Sequence, residues 1–359
     1  MSVNFVVGRN GAGKSEYLIN LARDRSEKAI FICNTVHDKS PNLSRLKKFS
    51  AKKRGSRPNQ VMSAVIKKFL LEGYSELHKI EMVLRHCGYL PKISITIRAA
   101  YEFDRMRELL KDSPRSYEAV RTAEDLFYGK NEISADIHFN ESIDFHEIHQ
   151  LMNFLSKEDY LKEWKLVTAA EFTLYKEDTG PIPLKNASSG ELSLITSMMF
   201  LLSEVKETRL LLIDEPENSL HPSWQREYVP FLLDLISYYD MEIFIATHSP
   251  LLVTGAQLDQ ATNLRFIHPR RGEVVPPSTA NIEELLWGQF EIMPPASRFL
   301  SEMLATKLDD LWSRKTTIND TLEFIENISE ASFDETQKNF LSAAQNLAKK
   351  IDEDRANEP

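Results

Sequence analysis

The spacing of apolar residues at the start of the chain predicts a strand, a loop, a helix and a second strand. Apolar residues fill positions 3–7 apart from Asn4, and they fill positions 29–33. A glycine-rich stretch occupies residues 8–13, and helical spacing runs from residue 14 to about residue 25. A unit of this kind indicates a parallel sheet with helices packed on it. We therefore predict an α/β fold.

The middle of the chain carries mixed patterns. Residues 45–58 hold seven Lys or Arg residues and no acid, which predicts a loop. Apolar residues at helical spacing then predict helix over residues 60–87. The rest of this part predicts strands at 93–97 and 133–139, with helix in between to about 128 and again at 145–155. We interpret residues 59–164 as a lobe of helices and strands inserted into the α/β core.

The second half of the chain alternates more regularly. Strands are predicted at 167–175, 210–213, 242–246 and 264–267, and helices at 190–205, at 223–237 and from about 297 onward. Residues 165–290 would complete the core that begins with residues 1–58, and residues 291–359 would form a helical C-terminal region. There are no internal repeats and no sustained heptads, which argues against a long coiled-coil arm.

The charge of the chain limits its partners. Its 359 residues carry a net charge of −9, so the protein as a whole is not a basic nucleic-acid coat. Any DNA or RNA contact would need a local patch, for which the basic run at residues 45–57 is the candidate. We favour reading that run as a solvated insertion, although it could equally dock an acidic partner.

Cysteine usage and the absence of a targeting segment suggest a compartment. Cys33 and Cys87 form neither a disulfide framework nor a metal motif, and Cys33 is predicted to be a reduced thiol in the core. No basic leader precedes the first strand, and the longest apolar stretch, residues 194–202, is too short to span a membrane. We expect a soluble, cytoplasmic protein.

Residues 8–15, Gly-Arg-Asn-Gly-Ala-Gly-Lys-Ser, match the phosphate-binding P-loop pattern at every required position. The glycines let backbone N–H groups point at phosphate oxygens, and the helix dipole that follows aims at the same place. Lys14 would reach the β and γ phosphates, and Ser15 would give its hydroxyl to Mg²⁺. The pattern alone also occurs in ordinary glycine turns, but here it follows a strand and opens a helix. The predicted nucleotide-binding residues are Gly8, Arg9, Asn10, Gly11, Ala12, Gly13, Lys14 and Ser15.

Two adjacent carboxylates follow the apolar run at residues 210–213. Asp214 and Glu215 would lie at the carboxyl end of a central strand, the edge at which α/β sheets bind ligands. Asp214 is predicted to hold Mg²⁺ through water, and Glu215 to act as the general base that polarises the attacking water. Such acids could merely cap a helix, but a P-loop needs this partner.

Two shorter motifs narrow the class. Residues 187–191, Ala-Ser-Ser-Gly-Glu, open a predicted helix and resemble the ABC signature motif. Residues 246–250, Ala-Thr-His-Ser-Pro, end a strand and resemble the switch-histidine region. The order of P-loop, signature, acid pair and switch histidine is that of ABC-type ATPases. The chain thus resembles a P-loop NTPase with an ABC-type ATPase head, a helical insertion lobe and a helical C-terminal segment.

Residues 186–250 are similar in particular to the OLD, RecF and SMC-like branch, and above all to OLD-like ATPases of bacterial anti-phage, Septu and retron systems. The resemblance implies two heads paired head-to-tail with ATP and Mg²⁺ between them. His248 would contact the γ-phosphate within its own copy, and residues 218–221 would cross the interface. Extra donors from the second copy would stabilise charge that develops during phosphoryl transfer. The residues that would complete the site of the other copy are Ser188, Ser189, Gly190 and Glu191, with Ser188 and Gly190 at the γ-phosphate.

The chain departs from the transporter pattern in two places. Its signature reads Ala-Ser-Ser-Gly-Glu rather than Leu-Ser-Gly-Gly-Gln, and His221 stands where transporters usually carry Asp. Both variants suit the OLD-like branch. The chain also starts at the P-loop strand, without the preceding strands that usually help to hold adenine, so the adenine contacts stay unassigned. Gln60 is a candidate for the Q-loop glutamine, with a surface residue as the alternative.

An effector domain is not evident in the C-terminal part. No Toprim constellation of a glutamate and a spaced Asp-x-Asp follows residue 255. Asp309, Asp310 and residues 352–354 lie in helical patterns and read as surface charge. The nuclease of full OLD proteins is therefore expected to be missing.

Two functions follow from the resemblance. The first is an ATPase, at least a dimer, that regulates a separate effector such as a nuclease or toxin in anti-phage defence. The second is a DNA-repair or chromosome-maintenance ATPase that clamps DNA. A neighbouring toxin, nuclease or reverse transcriptase gene would favour the first. Salt-dependent duplex binding that vanishes on neutralising residues 45–57 would favour the second.

Overall fold

The computed structural model describes residues 2–35, 40–50, 58–72, 77–100, 114–127, 130–139, 145–257, 263–274, 298–330 and 335–356. Over these ranges the chain forms a mixed α/β architecture with one larger and one smaller sheet, as the hydrophobic pattern predicts. None of the helices in the described ranges is long and apolar enough to cross a bilayer.

The elements are numbered in chain order. The strands are β1 (Ser2–Val6), β2 (Ala29–Cys33), β3 (Leu46–Ser50), β4 (Lys92–Arg98), β5 (Glu132–His138), β6 (Glu171–Lys176), β7 (Gly180–Pro183), β8 (Leu210–Asp214), β9 (Glu242–Ala246), β10 (Asn263–His268) and β11 (Gly272–Val274). The helices are α1 (Lys14–Asp24), α2 (Pro58–Glu72), α3 (Leu77–His86), α4 (Pro114–Phe127), α5 (Phe145–Glu163), α6 (Ser189–Glu204), α7 (Pro222–Leu235), α8 (Pro250–Gln257), α9 (Arg298–Trp312), α10 (Ile318–Glu330) and α11 (Glu335–Ala356).

The larger sheet runs in the order β11-β10-β1-β9-β8-β2-β3 among the described strands. Its neighbours are parallel except for β10 and β11, which form an antiparallel hairpin. Strand β1 lies between β9 and β10, both from the second half of the chain. Parallel strands buried on both faces read as continuous apolar runs, as the sequence of β8 shows. The carboxyl ends of the parallel strands meet at one edge, where the P-loop lies.

Alternate residues of the central strands face two layers of helices. On β8, Leu211 and Ile213 belong to a cluster with side chains of α6, α7 and α8. Leu210 and Leu212 belong to a second cluster, which contains Leu18 of α1. This alternation follows from the period of two along a strand. Helix α1, which follows the P-loop, therefore covers the face opposite to α6.

The smaller sheet is antiparallel, with the order β5-β4-β6-β7. Its buried side chains, including Ile93, Ile95 and Phe172, join the same cluster as α6. Strands β6 and β7 lie beyond residue 164, where the sequence placed the end of the inserted lobe. They pair with each other, and β6 also pairs with β4. Helices α9, α10 and α11 pack on one another around a separate cluster that includes Leu304, Leu311 and Ile325.

The basic run at residues 45–58 is not a loop throughout. Residues 46–50 form β3, because Leu46 and Phe49 are buried and the backbone pairs with β2. The Arg45 guanidinium donates hydrogen bonds to the carbonyl oxygens of Ala22 and Arg25 at the end of α1. Residues 51–57 lie outside the described part of the chain.

The long helix predicted at residues 60–87 is two helices in the structure, α2 and α3, with residues 73–76 outside the described ranges. The helix predicted up to about residue 128 corresponds to α4 in its described part. Cys33 and Cys87 are both buried and free of disulfides, which confirms the reading of Cys33 as a core thiol.

Helix α8 packs on α7 through a glycine. A Cβ added to Gly255 would lie 1.9 Å from the backbone oxygen of Arg226. Although Gly to Ala normally stabilises a helix by up to about 1 kcal/mol, Gly255→Ala should lower the free energy of unfolding by about 1–3 kcal/mol because the helices must separate. Urea denaturation followed by circular dichroism measures this.

The control is Arg226→Ala, which removes only an exposed side chain. Because the close atom is in the backbone, adding Arg226→Ala should not rescue the Gly255→Ala protein. Rescue, or a Gly255→Ala protein as stable as wild type, would show that the close approach of α7 and α8 is wrong.

Candidate active site

The P-loop connects β1 to α1 at the carboxyl edge of the larger sheet. Gly8 and Gly13 adopt φ angles of 142° and 94°, a region that L side chains rarely enter, so glycine is required at these turns. Gly13 directly precedes Lys14, the first residue of α1, so the start of that helix opens onto the loop. Strand and helix are thereby joined in the way the sequence predicts for a phosphate-binding loop.

The Lys14 ammonium group folds back over the loop. It donates to the carbonyl oxygen of Gly8 at 2.9 Å and to that of Arg9 at 3.3 Å, and it lies 3.1 Å from His248 Nδ1. Burial lowers the pKa of Lys14, although attraction to nearby carboxylates, Glu215 foremost, opposes that effect. The lysine thus sits at the centre of the loop with donors that a phosphate could take over.

Ser15 and Asp214 come together from different parts of the chain. The Ser15 hydroxyl donates to Asp214 Oδ1 at 3.0 Å. Burial raises the pKa of Asp214 to about 6. The described residues contain no cluster of three or more His, Cys, Asp or Glu side chains suited to a metal. Two converging oxygens beside a P-loop fit Mg²⁺, which usually binds one or two protein oxygens together with substrate phosphates and water.

Glu215 occupies a strained position just after β8. Its φ angle is 50°, which is unusual for a residue with a side chain, and its N–H donates to Ala246 O at 2.9 Å. Asn218 Nδ2 donates to Glu215 Oε2 at 3.0 Å, and His248 Nε2 lies 3.2 Å from Oε1. The hydrogen bond from His248 lowers the pKa of Glu215. The carboxylate is therefore ionised and aimed into the site.

His248 joins the lysine to the acid. Since Lys14 can only donate, Nδ1 of His248 accepts, and its Nε2–H donates to Glu215. Glu217 stabilises this arrangement, because its Oε1 accepts hydrogen bonds from the His248 backbone N–H at 2.6 Å and from Thr247 Oγ1 at 2.8 Å. Sequence reasoning missed Glu217, although a second acid two residues after Glu215 was a visible signal. Burial raises the pKa of Glu217.

A cavity of about 530 Å³ opens beside these groups, a size that suits a small ligand. Its far wall lies between α1 and β2 and includes Ile19, Arg23 and Phe31. The predicted site residues that line it are Gly11, Gly13, Lys14, Ser15, Asp214, Glu215 and His248. Those that do not line it are Gly8, Arg9, Asn10 and Ala12, which complete the loop, and the signature residues Ser188, Ser189, Gly190 and Glu191.

The signature residues form the start of α6 at another place on the same chain. Ser188 and Glu191 make a capping box, in which Ser188 Oγ accepts from Glu191 N–H at 3.3 Å and Ser188 N–H donates to Glu191 Oε2 at 2.8 Å. Ser188 and Ser189 are exposed. The buried Glu191 carboxylate also accepts from Tyr89 OH at 2.9 Å and Lys176 Nζ at 2.5 Å. Glu191 therefore supports the helix start from inside.

The turn after Glu215 contacts the start of α6, which carries the signature residues. A Cβ on Gly190 would lie 2.5 Å from the backbone oxygen of Ser219, so only glycine allows this approach. His221, two residues on, caps α7 through its Nδ1, which accepts from Ser223 N–H at 3.3 Å. Gln60 lies exposed in the first turn of α2 and does not line the cavity.

Comparison with known proteins gives one family. The sequence model of the family described as "AAA domain, putative AbiEii toxin, Type IV TA system" matches residues 34–254, more than half of the chain. The match begins after the P-loop sequence and includes the signature, the acid pair and the switch histidine. No curated protein matches the chain.

Asp214→Asn should stabilise the nucleotide-free protein at high pH. Because burial raises the pKa of Asp214 from 3.8 to about 6, the folded state binds this proton more tightly than the unfolded chain does. Wild-type stability therefore falls as pH rises between these values. We expect the gain from Asn to reach up to about 3 kcal/mol at pH 8 and to be small at pH 4. Urea unfolding at both pH values measures it.

The matched control is Glu215→Gln. The pKa of Glu215 is lowered, so its ionised form stabilises the fold, and that contribution is lost as pH falls through the folded-state pKa. Glu215→Gln should therefore reduce stability at pH 8 and matter less at low pH. A gain from Asp214→Asn that is larger at pH 4 than at pH 8 would contradict the assigned environment.

Proposed function

The chain belongs to the AAA-domain family whose model spans residues 34–254, a family of P-loop ATPases, and from this we propose that it binds and hydrolyses ATP in a site completed by a second copy. One observation carries the proposal. Three sequence-distant segments bring Lys14, Ser15, Asp214, Glu215 and His248 to the edge of one cavity. A lysine for phosphate, two oxygens for Mg²⁺ and a base with an orienting histidine are the parts that phosphoryl transfer requires.

The resting contacts describe a site that is ready for phosphate. The Lys14 ammonium group donates its hydrogen bonds to two carbonyl oxygens of its own loop and to His248. A γ-phosphate with a negative charge is a better partner for the ammonium group than a neutral carbonyl. When Lys14 turns to the phosphate, His248 can turn with it, and Oε1 of Glu215 becomes available to a water molecule.

Glu215 then acts as the base. The water oxygen attacks the γ-phosphorus, Glu215 accepts a proton from that water, and the bond to the bridging oxygen of ADP breaks. Asn218 holds the second carboxylate oxygen, so the first faces the water. Mg²⁺ held near Ser15 and Asp214 would neutralise charge on the phosphates.

A second copy accounts for the signature residues. The exposed start of α6 carries Ser188 and Ser189 but lies away from the cavity of its own chain. Backbone N–H groups and a hydroxyl at a helix start are suited to a phosphate. The resemblance to ABC-type ATPases supports placing them across a head-to-tail dimer, at the γ-phosphate of the partner's P-loop.

We propose that this ATPase regulates a separate effector in anti-phage defence. The family description names a toxin system, which supports that setting over a DNA clamp. The described part of the basic run also gives little support to DNA binding. Arg45 contacts the end of α1, Lys47 lies 3.8 Å from Glu204, and Lys48 donates to Asn42 at 2.7 Å.

Glu215→Gln should reduce ATP hydrolysis by about 100-fold or more while ATP still binds, because the amide cannot accept the proton of water. Lys14→Ala should weaken ATP binding itself. Phosphate release and equilibrium binding of a fluorescent ATP analogue measure the two effects. Glu207→Gln, an exposed acid paired with Lys28, is the control and should change neither. Undiminished hydrolysis by Glu215→Gln would rule out this base.

Mixing two inactive variants tests the composite site. Lys14→Ala disables one P-loop, and Ser188→Arg blocks one signature face. In a head-to-tail dimer of the two, one site has both an intact P-loop and an intact signature, so mixing should restore up to about a quarter of wild-type hydrolysis. If each variant is inactive alone, keeps the wild-type melting temperature and shows no recovery on mixing, the site is not shared between copies.

A further inference from the structure

The turn between β10 and β11 lies directly against the P-loop. Strand β10 is the parallel neighbour of β1 on the side away from β9 and β8, so its carboxyl end reaches the same edge as the loop. Val7 N–H donates to Ile267 O at 3.0 Å, which ties the two strands together where the P-loop begins. The chain then reverses over residues 269–271 into β11. Sheet topology therefore fixes this turn beside the loop.

Both ends of the P-loop face this turn. A Cβ on Gly8 would lie 3.3 Å from His268 Nε2 and 3.4 Å from its Cδ2, and a Cβ on Gly13 would lie 4.0 Å from Pro269 Cβ. The Arg270 N–H donates to His268 Nδ1 at 3.2 Å, so the neutral ring carries its hydrogen on Nε2. An oriented imidazole and a proline ring thus stand next to the phosphate loop.

The positions of the catalytic groups decide which end of a nucleotide comes near this turn. Glu215 follows β8 and His248 follows β9. In the proposed ATP site the γ-phosphate end would therefore face those two strands, and the phosphate chain would run along the loop toward the start of α1, next to Gly13. The nucleoside is attached at the opposite end from the γ-phosphate, and Pro269 is the residue of the turn nearest to Gly13.

Charge fits the same assignment, on a side of the P-loop that lies outside the 530 Å³ cavity. The γ end of the site holds three carboxylates, those of Asp214, Glu215 and Glu217, against one lysine. Arg270 and Arg271 are exposed in the turn and add two positive charges on the other side of β1. Flat rings stack on a purine, and guanidinium groups pair with phosphate.

We propose that the turn formed by His268, Pro269, Arg270 and Arg271 is the nucleoside wall of the P-loop site. The rings of His268 and Pro269 contact the purine base, and Arg270 and Arg271 lie beside the α-phosphate and the ribose. This inference rests on the proposed ATP site and supplies the base contact that the P-loop sequence leaves open.

The test compares ATP with inorganic tripolyphosphate, both with Mg²⁺, by calorimetric titration of the full chain. His268→Ala should weaken ATP binding about 10-fold and leave tripolyphosphate within about two-fold, because only ATP has a base. Arg270→Ala with Arg271→Ala should weaken both ligands. The matched controls, which should alter neither, are His138→Ala on β5 and Arg265→Ala on the exposed side of β10.

Photolabelling of the unmodified protein with 8-azido-ATP needs no variant. We expect the label in the peptide that contains residues 268–271. A label in α1 or β2 instead, or equal effects of His268→Ala on both ligands, would overturn the nucleoside wall while leaving the ATP site intact. Absence of ATP binding by the wild-type chain would overturn the proposed function itself.

Discussion

The register of three neighbouring parallel strands determines the geometry of the site. Val6 of β1 and Asp214 of β8 both pair with Ala246 of β9, so these strands end at one level. The loops that leave them carry Lys14, Glu215 and His248, and each is therefore delivered to the same small volume. A one-residue slip in any pairing would turn alternate side chains to the other face and separate the groups. The hydrophobic cores on both faces of the sheet make such a slip costly. They therefore keep the three loops, and the side chains they carry, in position.

The site holds charge under conditions that oppose it. Burial disfavours the charged forms of both Lys14 and Asp214, while Glu215 stands in a strained backbone region. Each group is stabilised by a neighbour, so the set holds together as a network rather than as independent residues. A ligand that brings anionic oxygens and a divalent cation would satisfy both kinds of group together. Such a pocket favours a phosphate ester with its metal over an apolar molecule of the same volume.

Local patterns predicted most of the residues that the structure brings together at this edge of the sheet, and little of their surroundings. The P-loop and the acid pair are short stretches whose residue types are typical of phosphate and metal binding, so sequence alone indicated them. The capping box at Ser188 also lies within four consecutive residues, although the sequence indicated there only a helix start and a signature-like motif. The position of β10 beside β1 was not predicted, because this pairing joins segments more than 250 residues apart and no local signal encodes it. Strand β3 was hidden in the same way, since its Lys-rich sequence suggests a loop until β2 is placed beside it.

The helix cap at Ser188 uses the serine hydroxyl only as a hydrogen-bond acceptor, although a hydroxyl can also donate. Its oxygen accepts the Glu191 N–H, whereas its own hydrogen takes no part in the cap. Asp and Asn cap helices about as well as Ser, so the folding requirement at this position admits several residue types. A carboxylate there would still start the helix properly. In the proposed dimer, however, it would meet the partner's phosphate with a negative charge and no hydrogen to donate. Under that proposal the fold alone accepts an acid at this position, whereas phosphate binding requires a hydroxyl.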